Sequence, residues 1–146
     1  MKLVIDTEIG LNDKIESDKE VKYIISSKHR EKTNPVKSYW VIEYVEELEC
    51  FINNYVNNHK VDNLTWGFIQ DESSLKVLGI NTFQEELKLA KFIDSSKNNI
   101  WHGYPADYRR KAQDRPCSIV LKKWVDSKII TKSKMLKIRQ GQTCNL

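Results

Sequence analysis

The 146-residue chain reads as a single α+β domain, and three observations carry that reading. Short runs rich in Val, Ile and Tyr lie near the N-terminus. One long apolar stripe recurs at three- and four-residue steps in the middle, and two shorter helical patterns close the chain. The expected architecture is a small N-terminal antiparallel or mixed sheet packed on one long helix, with a basic C-terminal helical hairpin at one side. At this length one compact core buries roughly two-thirds of the surface that the unfolded chain exposes. Apolar residues at 40% include four Trp, six Tyr and four Phe, far too many large side chains for a disordered chain.

Residues 2–6 and 21–27 predict strands, with a turn over 10–13 between them. Asn34-Pro35 offers a cap followed by a residue suited to a first helical position. From there Val41, Ile42, Val45, Leu48, Ile52, Tyr55 and Val56 mark one face of a long helix ending near Asn57-Asn58. Glu43, Glu46, Glu47 and Glu49 lie between those positions and read as a solvated acidic face. Residues 64–69 and 75–80 predict a hairpin around the polar stretch 70–74. Thr82 stands three residues before Glu85, a capping-box spacing that predicts a helix over 83–93. After a polar break at 95–99, Pro116 opens a helix carrying Val120, Leu121, Trp124 and Val125. Thr131 caps a last one with Met135, Leu136 and Ile138, and Gly141 suits the left-handed residue that closes it.

The net charge of +4 hides a division. Residues 1–100 hold 13 Lys and Arg against 17 Asp and Glu, a net −4, while residues 101–146 hold 11 against 3, a net +8. Residues 1–94 therefore read as an acidic α+β core and residues 100–146 as a basic helical segment of the same domain. A basic end of this kind points to an anionic partner, nucleic acid being the commonest.

Several classes find no support. No apolar run approaches the roughly 20 residues that span a bilayer, and Leu3-Val4-Ile5 is too short for a secretory core, so the expected location is cytoplasmic with no membrane partner. Cys50, Cys117 and Cys144 are odd in number and widely spaced, which suits reduced thiols. Among them only Cys117, at a helix start, sits where thiol acidity rises. There is no phosphate loop, dinucleotide fingerprint, zinc helix or serine nucleophile turn. Neither a cofactor nor a metal is expected.

The densest group of reactive side chains is the run Trp101-His102-Gly103-Tyr104-Pro105-Ala106-Asp107-Tyr108-Arg109-Arg110, which Gly103 and Pro105 suggest is a loop. Arginine forks onto phosphate oxygens and aromatic faces stack on unpaired bases, so Trp101, Tyr108, Arg110 and Arg115 predict contacts with RNA. Lys122, Lys123, Lys132, Lys134, Lys137 and Arg139 would extend an electrostatic track along the phosphates. A duplex-DNA reading of the paired helices ranks lower, because the last helix has no Asn or Gln at its start to read base edges. A sharper alternative is a small metal-independent ribonuclease of toxin type. There His102 exchanges protons near neutral pH, Arg109 or Arg110 holds a phosphate, and Tyr104 or Tyr108 assists. His29 and His59 read as surface residues. A third reading is a protein-interaction module whose basic face docks an acidic partner.

Overall fold

The computed structural model describes the backbone of residues 2–7, 14–15, 20–57 and 59–146, and the side chains of 21–57 and 59–146. In chain order the strands are β1 (Lys2–Thr7), β2 (Lys14–Ile15), β3 (Glu20–Ile25), β4 (Tyr39–Trp40), β5 (Lys60–Val61), β6 (Leu64–Gly67), β7 (Gln70–Asp71), β8 (Ser74–Leu75), β9 (Gly79–Ile80), β10 (Glu86–Leu87), β11 (Leu89–Ile93) and β12 (Ile100–Ala106). The helices are α1 (Tyr44–Val56), α2 (Ser118–Asp126) and α3 (Lys132–Arg139). This is the α+β composition that the sequence predicts.

Seven strands form one mixed sheet in the order β2-β1-β3-β12-β11-β6-β5. β3 pairs in parallel with β1 on one side and β12 on the other, and from β12 to β5 every pair is antiparallel. A short sheet, β10-β9-β4, and the β7-β8 hairpin lie outside it. The main sheet is not confined to the N-terminal part of the chain. β12 comes from the basic third and sits at the centre, between β3 and β11.

Side chains alternate across a strand, and the register divides the sheet into two faces. Tyr23 with Trp101, Phe92 with Gly103, and Ala90 with Pro105 share one face. Lys91 with Tyr104, Ile93 with His102, and Leu89 with Ala106 share the other. On the first, α1 brings Leu48, Cys50 and Phe51 against Val21, Tyr23, Ile25, Phe92 and Trp101. Phe51 lies at the middle of this aromatic group, with ring centroids 4.7 Å from Tyr23, 5.4 Å from Phe92 and 5.7 Å from Trp101. Each such buried aromatic contributes about 1.5–3 kcal/mol. Gly103 makes the packing of Phe92 feasible, since a Cβ there would lie 2.2 Å from the Phe92 ring. On the second face α2 and α3 cover Trp66, Leu89 and Ala106 with Val120, Leu121, Trp124, Met135 and Ile138.

Local chemistry fixes the helix ends. At α1 the Glu43 and Glu46 side chains cap each other's backbone, and at α3 the Thr131 hydroxyl accepts from Lys134 N–H while Gly141 takes φ +69° beyond the end. α1 begins at Tyr44 rather than near Pro35, because Asn34 Oδ1 accepts from Val36 and Lys37 N–H in a turn of its own. The helix expected over 83–93 is strand instead. Asn81 Oδ1 accepts from Phe83 and Glu85 N–H, Gln84 turns to φ 63°, and Glu85 is held elsewhere, so Thr82 and Glu85 do not cap one another. β11 is buried on both faces and, apart from Lys91, is apolar throughout, a pattern without alternation that periodicity cannot tell from a helix. The hairpin expected over 64–80 shrinks to β7-β8, while β9 pairs with β4 and β10. The turn expected at 10–13 lies outside the described residues.

The acidic face of α1 is also divided. Glu43 and Glu49 are exposed, whereas Glu47 is buried, accepting from Tyr23 Oη at 2.6 Å and pairing with Arg30 at 2.6 Å. Burial pushes the Glu47 carboxyl upward, and the two donors pull it back.

Candidate functional site

β12 is a strand rather than a loop, and its alternation sends the candidate residues to opposite faces. Trp101 is 1% exposed and packs on Phe51 and Tyr55, with its indole N–H unpaired among the described residues. Its faces are occupied by the protein. Tyr108 ties down the C-terminal tail: its hydroxyl donates to the Gln142 carbonyl at 3.0 Å and accepts from Cys144 N–H at 3.3 Å. Arg115 Nε donates to the Tyr108 carbonyl at 2.8 Å. Arg109 and Arg110 share one acid, Glu85, at 3.2 and 2.7 Å, and together with Asn81 they hold its carboxyl down to about 2. Arg110 also lies 3.9 Å over the ring of Phe83, which is 63% exposed.

His102 and Tyr104 do come together, pointing from β12 to the second face. The structure adds His29, whose ring stacks on Tyr104 with centroids 5.3 Å apart. His29 comes from the 3-10 turn Ser27–His29 that follows β3 and is partly buried, not an ordinary surface residue. Its Nδ1 lies 3.1 Å from the Ser38 carbonyl. A carbonyl only accepts, so Nδ1 carries the proton and Nε2 keeps its lone pair. His102 Nε2 lies 3.0 Å from Ser95 Oγ. Burial holds both imidazoles below the ordinary 6.5, and Lys37 pushes both further down, with Lys111 adding to the effect at His29. Two bases, each uncharged at neutral pH, therefore stand in a positive field.

Beneath them Asp114 acts as a hub. Its buried carboxylate accepts from Tyr104 Oη at 2.6 Å and Asp107 N–H at 2.9 Å, and its carbonyl accepts from Trp66 Nε1 at 3.0 Å. Burial and Asp114 raise the Tyr104 phenol well above its usual range, so Tyr104 is a fixed donor and not a base. Lys91, opposite Tyr104, is buried, donates to the Gln113 carbonyl and lies 5.7 Å over the Trp66 ring. Beside this hub opens a cleft of about 320 Å³, lined by Ser38, Asn81, Phe83, Arg110, Lys111 and Asp114 among others.

The helical cations are arranged differently. Lys122, Lys137 and Arg139 are exposed and Lys134 half-exposed, and with Lys132 they form no ion pair among the described residues. Lys123 is half-buried on α2. His59, expected at the surface, is buried, with Nδ1 2.7 Å from Asn54 Oδ1 and its ring edge-on to Trp124. Its polar flanks in the sequence concealed a ring packed beneath α2.

Among the described residues no group of three or more His, Cys, Asp or Glu side chains is placed to hold a metal ion, and no helix is long and apolar enough to cross a membrane. Comparisons with protein-family models, curated proteins and solved structures found no match.

Proposed function

We propose that the protein binds RNA through the phosphate backbone, using the cations of α2 and α3. The observation that supports this is that Lys122, Lys132, Lys134, Lys137 and Arg139 form no ion pair among the described residues, whereas the arginines of residues 109–110 are paired with Glu85. Residues 116–146 carry seven Lys and Arg against one acid, Asp126, so α2 and α3 present a positive field. The last helix contributes Lys and one Arg rather than base-reading amides, which suits backbone contact without duplex sequence readout. Exposed Phe83, backed by Arg110, offers a ring to an unpaired base, and this favours single-stranded or looped RNA.

The test is fluorescence anisotropy with a mixed-sequence RNA at 50 and 200 mM salt. Binding should weaken steeply with salt, and replacing Lys132, Lys134 and Lys137 by Gln should lower the log–log slope by about 2. Absent binding at low salt, or affinity indifferent to salt, overturns the proposal. Capture of an acidic protein with no affinity for RNA would point to a protein partner instead.

A further inference from the structure

We propose that His29 and His102, flanked by Lys37 and Lys111, form a phosphodiester-cleaving site that acts on RNA. The inference rests on RNA being the bound polymer, but it uses a different part of the molecule from the helical cations. The site is assembled by tertiary contact. His102 and Tyr104 lie two residues apart on one face of β12, about 7 Å along the strand, and His29 stacks on Tyr104. Two imidazoles thus lie on the same side of the sheet as one phenol, with the cleft lined by Ser38, Lys111 and Asp114 beside them. Tyr104 cannot swing away, because its hydroxyl is anchored on buried Asp114.

The roles follow from the hydrogen bonds. His29 gives its Nδ1 proton to the Ser38 carbonyl and so offers a bare Nε2. That nitrogen takes the proton of the ribose 2′-OH while the 2′ oxygen forms a bond to phosphorus. The bond from phosphorus to the 5′ oxygen breaks, and His102, which takes up a proton once the phosphate anion is bound, gives that proton to the departing oxygen. The products are a 2′,3′-cyclic phosphate and a free 5′-OH. Water protons restore the two histidines, and no further reactant is required. Lys37 and Lys111 stabilise the charge that gathers on the phosphoryl oxygens, and the bound phosphate in turn favours the charged form of His102. The cleft beside Asp114, with Phe83 and Lys111 in its wall, offers a ring and a cation to an adjoining nucleotide.

The experiment incubates the full chain with a mixed-sequence RNA and with DNA of the same sequence, and reads the fragment ends by mass spectrometry. RNA should be cut to fragments ending in 2′,3′-cyclic phosphate and DNA left whole. His29→Gln and His102→Gln should each slow cleavage about 100-fold or more while RNA affinity is kept. Intact RNA, equal cutting of DNA, or unchanged cleavage by either folded variant overturns the proposal. If a variant does not fold, the histidine ring signals of the wild-type chain supply the answer: a 2′-deoxy oligonucleotide should shift two of the three, and no shift overturns the site. Salt-dependent binding without cleavage defeats this inference alone, and cleavage unaffected by loss of the α3 lysines defeats only the binding surface.

Discussion

The two faces of the central sheet use the same strands for different ends. Toward α1, Trp101, Phe92 and Tyr23 join Phe51 in an aromatic core with little polar content beyond the Tyr23-Glu47-Arg30 set. On the opposite face, under one residue of offset, the same strands present His102, Tyr104 and Lys91, partnered by Ser95, Asp114 and the Gln113 carbonyl respectively. Apolar burial is non-directional and tolerates modest shifts, whereas a buried carboxylate serving two donors requires each of them in place. Both faces bury an apolar cluster, and the second adds a polar network centred on Asp114.

The sharpest way to break the first face is Trp101→Ala. The cavity beside Phe51 and Tyr55 should lower stability by about 3–5 kcal/mol, read as the urea midpoint multiplied by an unchanged slope. A loss below 1 kcal/mol would mean that the ring is not core.

Asp114→Ala tests the second face with less apolar loss but two orphaned donors, Tyr104 Oη and Asp107 N–H. A loss of about 2–3 kcal/mol is expected. Tyr104→Phe removes one donor and leaves the other, so its cost should be smaller, about 1–2 kcal/mol by the same denaturation measurement. If Tyr104→Phe costs as much as Asp114→Ala, the hub is a single contact and not a network.

The gentlest probe is pH. Burial holds His29, His59 and His102 below 6.5, so the folded chain binds fewer protons than the unfolded chain as the pH drops past that value. Stability is complete above about 6.5 and is lost as pH falls through the lower folded-state values. Urea midpoints should therefore fall between pH 7.5 and pH 5.5, and a flat profile would show that these rings are solvated.

Much of the helical structure was legible locally. The Thr131 cap and the Gly141 terminator act within a few residues, and both appear at α3. Helix α1 also appears, but its buried face is Glu47, Leu48, Cys50, Phe51 and Asn54. Val41, Val45 and Val56 of the expected stripe are exposed, because the sheet and not the apolar count decides which side is covered. Strand β11 was not legible in the same way, because Leu89-Ala90-Lys91-Phe92-Ile93 is covered on both faces and has no alternation to show. Lys91 within that run was the one local sign that the second face holds polar chemistry. The candidate site was half visible: His102 and Tyr104 share a strand, but His29 and Asp114 lie far from one another in the chain and carry no mutual signal.

The sequence by itself determined the α+β composition, the charge division between residues 1–100 and 101–146, and the ends of α3. These depend on residue type and spacing. Only the tertiary structure decided that Trp101 is core, that Arg109 and Arg110 are occupied by Glu85, and that His29 meets Tyr104. The physical reason is pairing across the sheet: which face a side chain of β12 takes is set by β3 and β11, and neither partner is encoded in the residues beside it.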